Sequence, residues 1–165
     1  GEQGLTYQFR VLAQDNAGNQ GTGSTSTQVA ASCTNDSSEN ADDTAAGAPT
    51  VTLGQAQEHN FCGVNDADWI KFNAEGGKRY AVTATSLGGG AAFRLELRDA
   101  SGANELASAF SSELGQSASL FWTAPASGTY TVKVEPVVGQ MVGSDVRYSL
   151  KLGETVVMFF PIIGN

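Results

Sequence analysis

Histidine, cysteine and basic residues are all scarce in this sequence, and each shortage narrows what the chain can do. Its 165 residues include one histidine. Nucleophilic catalysis places a serine or cysteine beside a general base that a third group orients, and His59, with Gln57 and Phe61 around it, reads as a half-exposed strand residue. The many serines fall in turns and linkers, where hydroxyls bond local backbone, so no hydrolase triad is expected. Lys and Arg number 9 against 17 Asp and Glu, for a net charge of -8. Such a field repels phosphate backbones and anionic membrane surfaces, which argues against nucleic acid as a partner. Long apolar runs are missing too: the longest, Thr155 to Ile163, falls far short of the ~20 residues of a membrane-spanning helix. It reads as a strand, and no membrane span is expected. With little periodic Leu but 20 Gly and abundant Ser, Thr, Ala and Val, the composition suits short strands joined by turns. The expected fold class is all-β.

The two cysteines, Cys33 and Cys62, lack the paired Cys or His spacing of a zinc site. In an acidic chain of secreted character they read as a disulfide. It would close a loop of roughly 30 residues, for which loop-closure entropy supplies ~3 to 4 kcal/mol. Gly1 opens directly into patterned sequence, without a basic start and an apolar stretch, so no signal peptide is read here and the sequence looks like a fragment of something longer.

Leu5, Tyr7, Phe9, Val11 and Ala13 alternate with Thr6, Gln8, Arg10 and Leu12, the period of a half-buried strand. Asp15-Asn16-Ala17-Gly18-Asn19 then reverses the chain. This stretch resembles the penultimate strand and following turn of a fibronectin type III domain, of which it would be the last two strands. An isolated hairpin is marginal in water, so Tyr7, Phe9 and Val11 are expected to pack on the main domain or on a second chain by strand addition, with a homodimer through the hairpin as one form. Gly21 to Ser32, rich in Gly, Ser and Thr, reads either as the closing strand running into a linker or as linker throughout. Asn35 to Ala48 is acidic, without apolar period, and reads as ordered loop or one helical turn.

Strand patterns follow at Ala56 to Cys62, Asp68 to Asn73 and Arg79 to Ser86, with Ile70 and Phe72 on one face and Tyr80, Val82 and Ala84 inward. Phe93, Leu95 and Leu97 alternate with Arg94, Glu96 and Arg98. Leu120 and Trp122, then Tyr130, Val132 and Val134, then Val146, Tyr148, Leu150 and Leu152 supply further inward faces. Strands at this spacing imply a β-sandwich or jelly roll. The apolar tail Val156 to Ile163 would be an aggregation hazard as a bare edge, so it is expected to add to a sheet of the body or to the hairpin.

Four features of the body carry a resemblance. They are Asn40-Ala41-Asp42-Asp43-Thr44-Ala45; His59-Asn60-Phe61-Cys62 with Asp66-Ala67-Asp68-Trp69-Ile70-Lys71-Phe72; Phe93 to Asp99; and Trp122 to Val134. In that order they resemble the bacterial pre-peptidase C-terminal domain, often found behind the catalytic domains of secreted peptidases. The resemblance implies a jelly-roll-like β-sandwich with an N-terminal β-hairpin appendage. Residues 1–32 would be the fibronectin-like hairpin plus linker, and residues 33–165 the sandwich with its C-terminal strand.

Acid pairs such as Glu96 with Asp99, or Asp66 with Asp68, have the residue types of glycoside hydrolysis, but nothing signals a cleft and Glu96 is expected on a solvent face. Calcium is the better reading of the acidity, because a hard cation takes six to eight oxygen ligands. Glu39, Asn40, Asp42 and Asp43 lie in the first loop; Asp66 and Asp68, after Asn65, follow Cys62. Some relatives of this fold, notably collagen-binding domains of bacterial collagenases, bind calcium with such loop residues and an Asp-x-Asp motif, and the resemblance implies the same positions here. The alternative is that these side chains cap turns. Trp69 and Trp122, the aromatics suited to stacking on sugars, are expected to be buried.

The sequence thus points to a non-catalytic accessory or interaction module of a secreted multidomain protein, such as a peptidase, acting in secretion, stability or substrate attachment. Its alternative is a specific ligand-binding module for collagen-like protein or polysaccharide. The partners expected are domains of the parent protein and extracellular protein or polysaccharide, at an extracellular or cell-surface location.

Overall fold

A computed structural model describes residues 6–28, 33–39, 41–137, 142–143 and 145–155. Ten strands run in chain order: β1 Thr6–Gln14, β2 Gln20–Gln28, β3 Ala56–Asn60, β4 Asp68–Ala74, β5 Arg79–Ser86, β6 Phe93–Arg98, β7 Glu105–Phe110, β8 Ala118–Thr123, β9 Gly128–Pro136 and β10 Arg147–Thr155. The last eight form two four-stranded sheets, β3-β10-β5-β8 and β4-β9-β6-β7, in which every pairing is antiparallel. Counted along the sandwich, the first, eighth, third and sixth strands face the second, seventh, fourth and fifth. That is the winding of a jelly roll, two interlocked Greek keys. Among the described residues no helix is long and apolar enough to cross a membrane.

The core lies between the sheets and follows the period-2 pattern. Ile70, Phe72, Tyr80, Val82, Ala84, Phe93, Leu95, Leu97, Val132, Val134, Tyr148, Leu150 and Leu152 are all buried. Tyr148 sits at one end, its ring centroid 5.0 Å from that of Phe93 and 5.2 Å from that of Phe61. At the other end Trp122 meets Tyr130 edge-on at 4.6 Å. Both tryptophans are half-buried rather than enclosed. Trp69 points outward, between the Arg98 guanidinium at 5.8 Å and the Lys133 ammonium at 5.9 Å from its ring.

Two further sequence expectations change, and one strand goes unread in the pattern. Glu96 is not on a solvent face: it is only 2% exposed, and its carboxylate pairs with Arg94 at 2.9 Å and with Arg98. The arginine stems fold over the sheet and close water off from the carboxylate. His59 is buried, not half-exposed, because it shares the inward face of β3 with Phe61 two residues on. β7 escapes the hydrophobic pattern because its inward residues, Ala107 and Ala109, are small and its larger ones, Leu106 and Phe110, face out.

The hairpin β1–β2 is a two-stranded sheet of its own. Asp15 builds its turn, with Oδ1 accepting the N–H groups of Ala17 and Asn19 at 2.9 Å each, and Gly18 supplies the left-handed residue at φ 86°. The sandwich of the same chain does not cover it: Phe9 is 53% and Val11 65% exposed. β2, with the sequence Gln-Gly-Thr-Gly-Ser-Thr-Ser-Thr-Gln, offers them no large apolar partner. The expected packing of Tyr7, and the expected strand at Val156 to Ile163, lie outside the described residues and side chains.

The acidic loop before β3 is laid along β4, an edge of its sheet. Trp69 N–H donates to the Asp42 carbonyl at 2.7 Å, Lys71 N–H to Pro49 at 2.7 Å and Val51 N–H to the Lys71 carbonyl at 2.8 Å, with a parallel bridge between Thr50 and Lys71. The Lys71 ammonium adds a bond to the Ala46 carbonyl at 2.9 Å. The loop therefore covers an edge that would otherwise present unpaired backbone groups, and it carries its carboxylates to the corner where β3 ends and β4 begins.

Candidate functional site

That corner is fastened by the Cys33–Cys62 disulfide, whose Cα atoms lie 5.5 Å apart. Asp36 adds a second fastening. Its Oδ1 accepts the N–H groups of Ser38 and Glu39 at 2.7 and 3.2 Å, and its Oδ2 accepts that of Asn60 at 3.1 Å. Asn60 returns a bond from Nδ2 to the Thr34 carbonyl at 2.8 Å. Loop and β3 are thus stitched side by side, and Glu39 through Asp43 are held against the turn that follows Cys62.

In that turn Asn65 adopts a left-handed conformation at φ 63°, which asparagine tolerates better than most residues. Asp66 follows, and its Oδ2 accepts the N–H groups of Cys62 and Gly63 at 2.8 and 3.2 Å. The turn-capping alternative therefore holds for Asp66, and Asp36, outside the set singled out by sequence, plays a similar part. It does not account for the whole set: Glu39 Oε2 and Asp42 Oδ2 are buried without a hydrogen-bond partner among the described residues.

Of the six residues singled out by sequence, the five described do not converge on one point. Glu39, Asp43 and Asp66 come together, each offering a carboxylate oxygen within 4.8 Å of the others. Asp42 and Asp68 point to a second, deeper group with Asp36 and His59, in which ligand atoms of Asp36, His59 and Asp68 also lie within 4.8 Å of one another. Asn40 lies outside the described residues. Sequence reading did not place Asp36, His59 or Tyr148 in a site; the Tyr148 hydroxyl donates to Asp68 Oδ2. The signal available for His59 was its place two residues before inward-facing Phe61.

Electrostatics show the cost of the arrangement. Burial, with the charges of Asp66, Asp36, Asp43 and Asp42 added, pushes the Glu39 carboxyl up to about 7. Burial pushes Asp68 up to about 9, with Asp42, Asp66 and Asp36 adding to the rise, although the Tyr148 hydroxyl opposes it. Burial also raises Asp42 and holds the His59 imidazole below its ordinary value, against the pull of Asp36 and Asp42. Among the described residues no Lys or Arg pairs with any of these carboxylates; their ion pairs serve Glu96, Glu105, Glu135 and Glu154. Crowded carboxylates of this kind repel one another and gain from a bound cation. Glu39, Asp43 and Asp66 supply only oxygen donors, the set suited to a hard ion such as Ca2+.

Fold and corner together define a jelly-roll module with an acidic, disulfide-fastened rim. Residues 66–136, less than half of the chain, match the family model of the bacterial pre-peptidase C-terminal domain; they run from the Asp-x-Asp turn to the end of β9. The pre-peptidase C-terminal domain of a collagenase from Bacillus anthracis has a similar structure, with 19% identity and a TM-score of 0.50, covering 64% of this chain and 93% of that one. At this identity the likeness is one of fold. PliG of Aeromonas hydrophila, a periplasmic inhibitor of g-type lysozyme, aligns at 17% identity over 66% of this chain and 96% of its own, with a TM-score of 0.45. No curated protein matches the sequence.

Proposed function

We propose that the chain is a non-catalytic accessory module of a secreted multidomain protein such as a peptidase, which serves secretion, stability or substrate attachment and is ordered by Ca2+ at Glu39, Asp43 and Asp66. The observation that carries this reading is the convergence of those three carboxylates at a corner fastened by Cys33–Cys62. The family match over residues 66–136 supports the accessory role, and a disulfide in a chain of this size fits an extracellular or cell-surface setting. The hairpin belongs to the same proposal: residues 1–32 close an upstream fibronectin type III-like domain, or pair with a second copy, and either would cover Phe9 and Val11. Residues 33–165 are then the module proper.

The rival reading is a ligand-binding module for collagen-like protein or polysaccharide. A row of aromatics on one sheet face would favour it. Among the described residues the two exposed phenylalanines of the sandwich instead sit on different sheets, Phe110 on β7 and Phe121 on β8, and the Arg79 guanidinium lies over the Phe121 ring at 5.4 Å. Co-sedimentation of the chain with fibrillar collagen and with insoluble polysaccharides, in calcium, separates the two readings. The accessory reading expects the chain to stay in the supernatant. Saturable micromolar binding to either matrix would replace it with the ligand-binding one.

A further inference from the structure

The deeper group of side chains differs in kind from the oxygen-only site above it. His59, the single histidine of the sequence, has a fully buried side chain, and neither Nδ1 nor Nε2 has a hydrogen-bond partner among the described residues. A buried imidazole with both nitrogens unpaired forgoes hydrogen bonds that water would supply. Its Nδ1 is aimed at carboxylates: Asp42 Oδ2 lies 3.4 Å away and Asp36 Oδ2 3.6 Å away, both long for a hydrogen bond. Asp42 Oδ2 is itself buried and unpartnered. A ligand oxygen of Asp68 completes the group, within 4.8 Å of the atoms offered by Asp36 and His59.

These separations have a simple geometric reading. Two ligand atoms bound about 2.05 Å from a tetrahedral zinc ion lie about 3.3 Å apart. The 3.4 and 3.6 Å distances between His59 Nδ1 and the two aspartate oxygens match that spacing. Imidazole nitrogen with carboxylate oxygen is a donor set for borderline divalent metals and not for calcium, which takes oxygen. No free cysteine competes for such a metal.

We propose that Asp36, Asp42, His59 and Asp68 form a second metal site, distinct from the rim carboxylates, that takes a borderline divalent transition ion such as Zn2+ through His59 Nδ1. It lies beneath the proposed calcium site but does not rest on it, since Glu39, Asp43 and Asp66 are not among its ligands. Occupied, it would join the first loop, the end of β3 and the start of β4 at one point inside the disulfide-closed corner.

The test uses the whole chain, stripped with chelator and then held in saturating Ca2+, titrated calorimetrically with Zn2+. The expected result is one equivalent of zinc bound and a raised melting temperature, with Co2+ in its place giving the visible bands of a four-coordinate nitrogen–oxygen site. His59→Phe should weaken zinc binding by at least about 100-fold, since losing an outer-shell partner alone costs 10- to 100-fold, and should abolish the cobalt bands. Asp42→Asn, which keeps the side chain's size and whose Oδ2 accepts no hydrogen bond among the described residues, should weaken zinc binding too and decides the matter if His59→Phe does not fold. Near-ultraviolet circular dichroism checks each variant's fold independently of calcium. Zinc bound equally by wild type and both variants would mean adventitious surface carboxylates and overturn the proposal. So would the absence of any zinc binding in wild type, which would leave His59 as a plain buried ion-pair partner. Neither outcome bears on calcium at the rim.

Discussion

The buried Asp68 makes the metal-free chain sensitive to pH in a direction opposite to acid denaturation. Its carboxyl is raised from 3.8 to about 9, so between those values the folded chain holds a proton that the unfolded chain has released. Stability then falls as pH rises, beginning near about pH 4, at up to about 1.4 kcal/mol per pH unit, and levels off above about pH 9. From pH 5 to pH 8 this amounts to up to about 4 kcal/mol, a large share of the ~5–15 kcal/mol that holds a domain together. Asp68→Asn abolishes the titration yet keeps an oxygen to accept the Tyr148 hydroxyl. Glu39, raised to about 7, acts in the same sense but is present in both proteins and cancels in the comparison. Urea melts of the two proteins, freed of divalent ions, at steps from pH 5 to pH 8 should show wild type losing stability relative to the variant as pH rises. Parallel curves would refute the reasoning, because Asp68 would then titrate alike in folded and unfolded chains.

Two further substitutions probe the supports of the corner and the sheet beside it. Replacing Cys33 and Cys62 together by Ser should cost about 3.5 kcal/mol in urea melts, the loop-closure entropy of a cross-link spanning 29 residues, and should weaken the calcium response; a loss below about 1 kcal/mol would show that Asp36 and Asn60 alone hold the loop. Glu96→Ala leaves Arg94 and Arg98 facing an empty carboxylate position. It should cost about 2–3 kcal/mol by thermal melt, less than the ~3–5 kcal/mol of a fully buried pair because Arg94 is half exposed, and a neutral result would place Glu96 back in solvent.

How much could be read beforehand depended on how local the signal was. The inward faces of β4, β5, β6, β9 and β10 were legible because large apolar residues alternate with polar ones at the sheet period, as in Phe93, Leu95 and Leu97. β7 was not, since alternation read by size points Leu106 and Phe110 inward when the alanines between them face the core. Cys33 and Cys62 were legible from compartment chemistry, without geometry. The acids of the loop and of the Asp-x-Asp turn were found by type. Their division into a rim group and a buried group was hidden, because it is set by contacts between distant parts of the chain: Asp36 Oδ2 to the backbone of Asn60, 24 residues on, and Tyr148 to Asp68, 80 residues apart. A lone histidine in a strand is usually half-exposed, whereas His59 lies on the inward face with Phe61 and stacks on Tyr148 at 5.5 Å.

The central claim is that the disulfide-fastened corner is built around a cation, and a calcium-dependent melt of the whole chain tests it most directly. At calcium 100-fold above its dissociation constant, binding stabilises a folded chain by ~2.7 kcal/mol, which for a chain of this size is a rise of about 5 to 10 °C. The account predicts such a rise in millimolar calcium relative to chelator, and its loss in Asp43→Asn, whose exposed side chain serves no other part of the fold we describe. Identical melting temperatures in calcium and in chelator would contradict it.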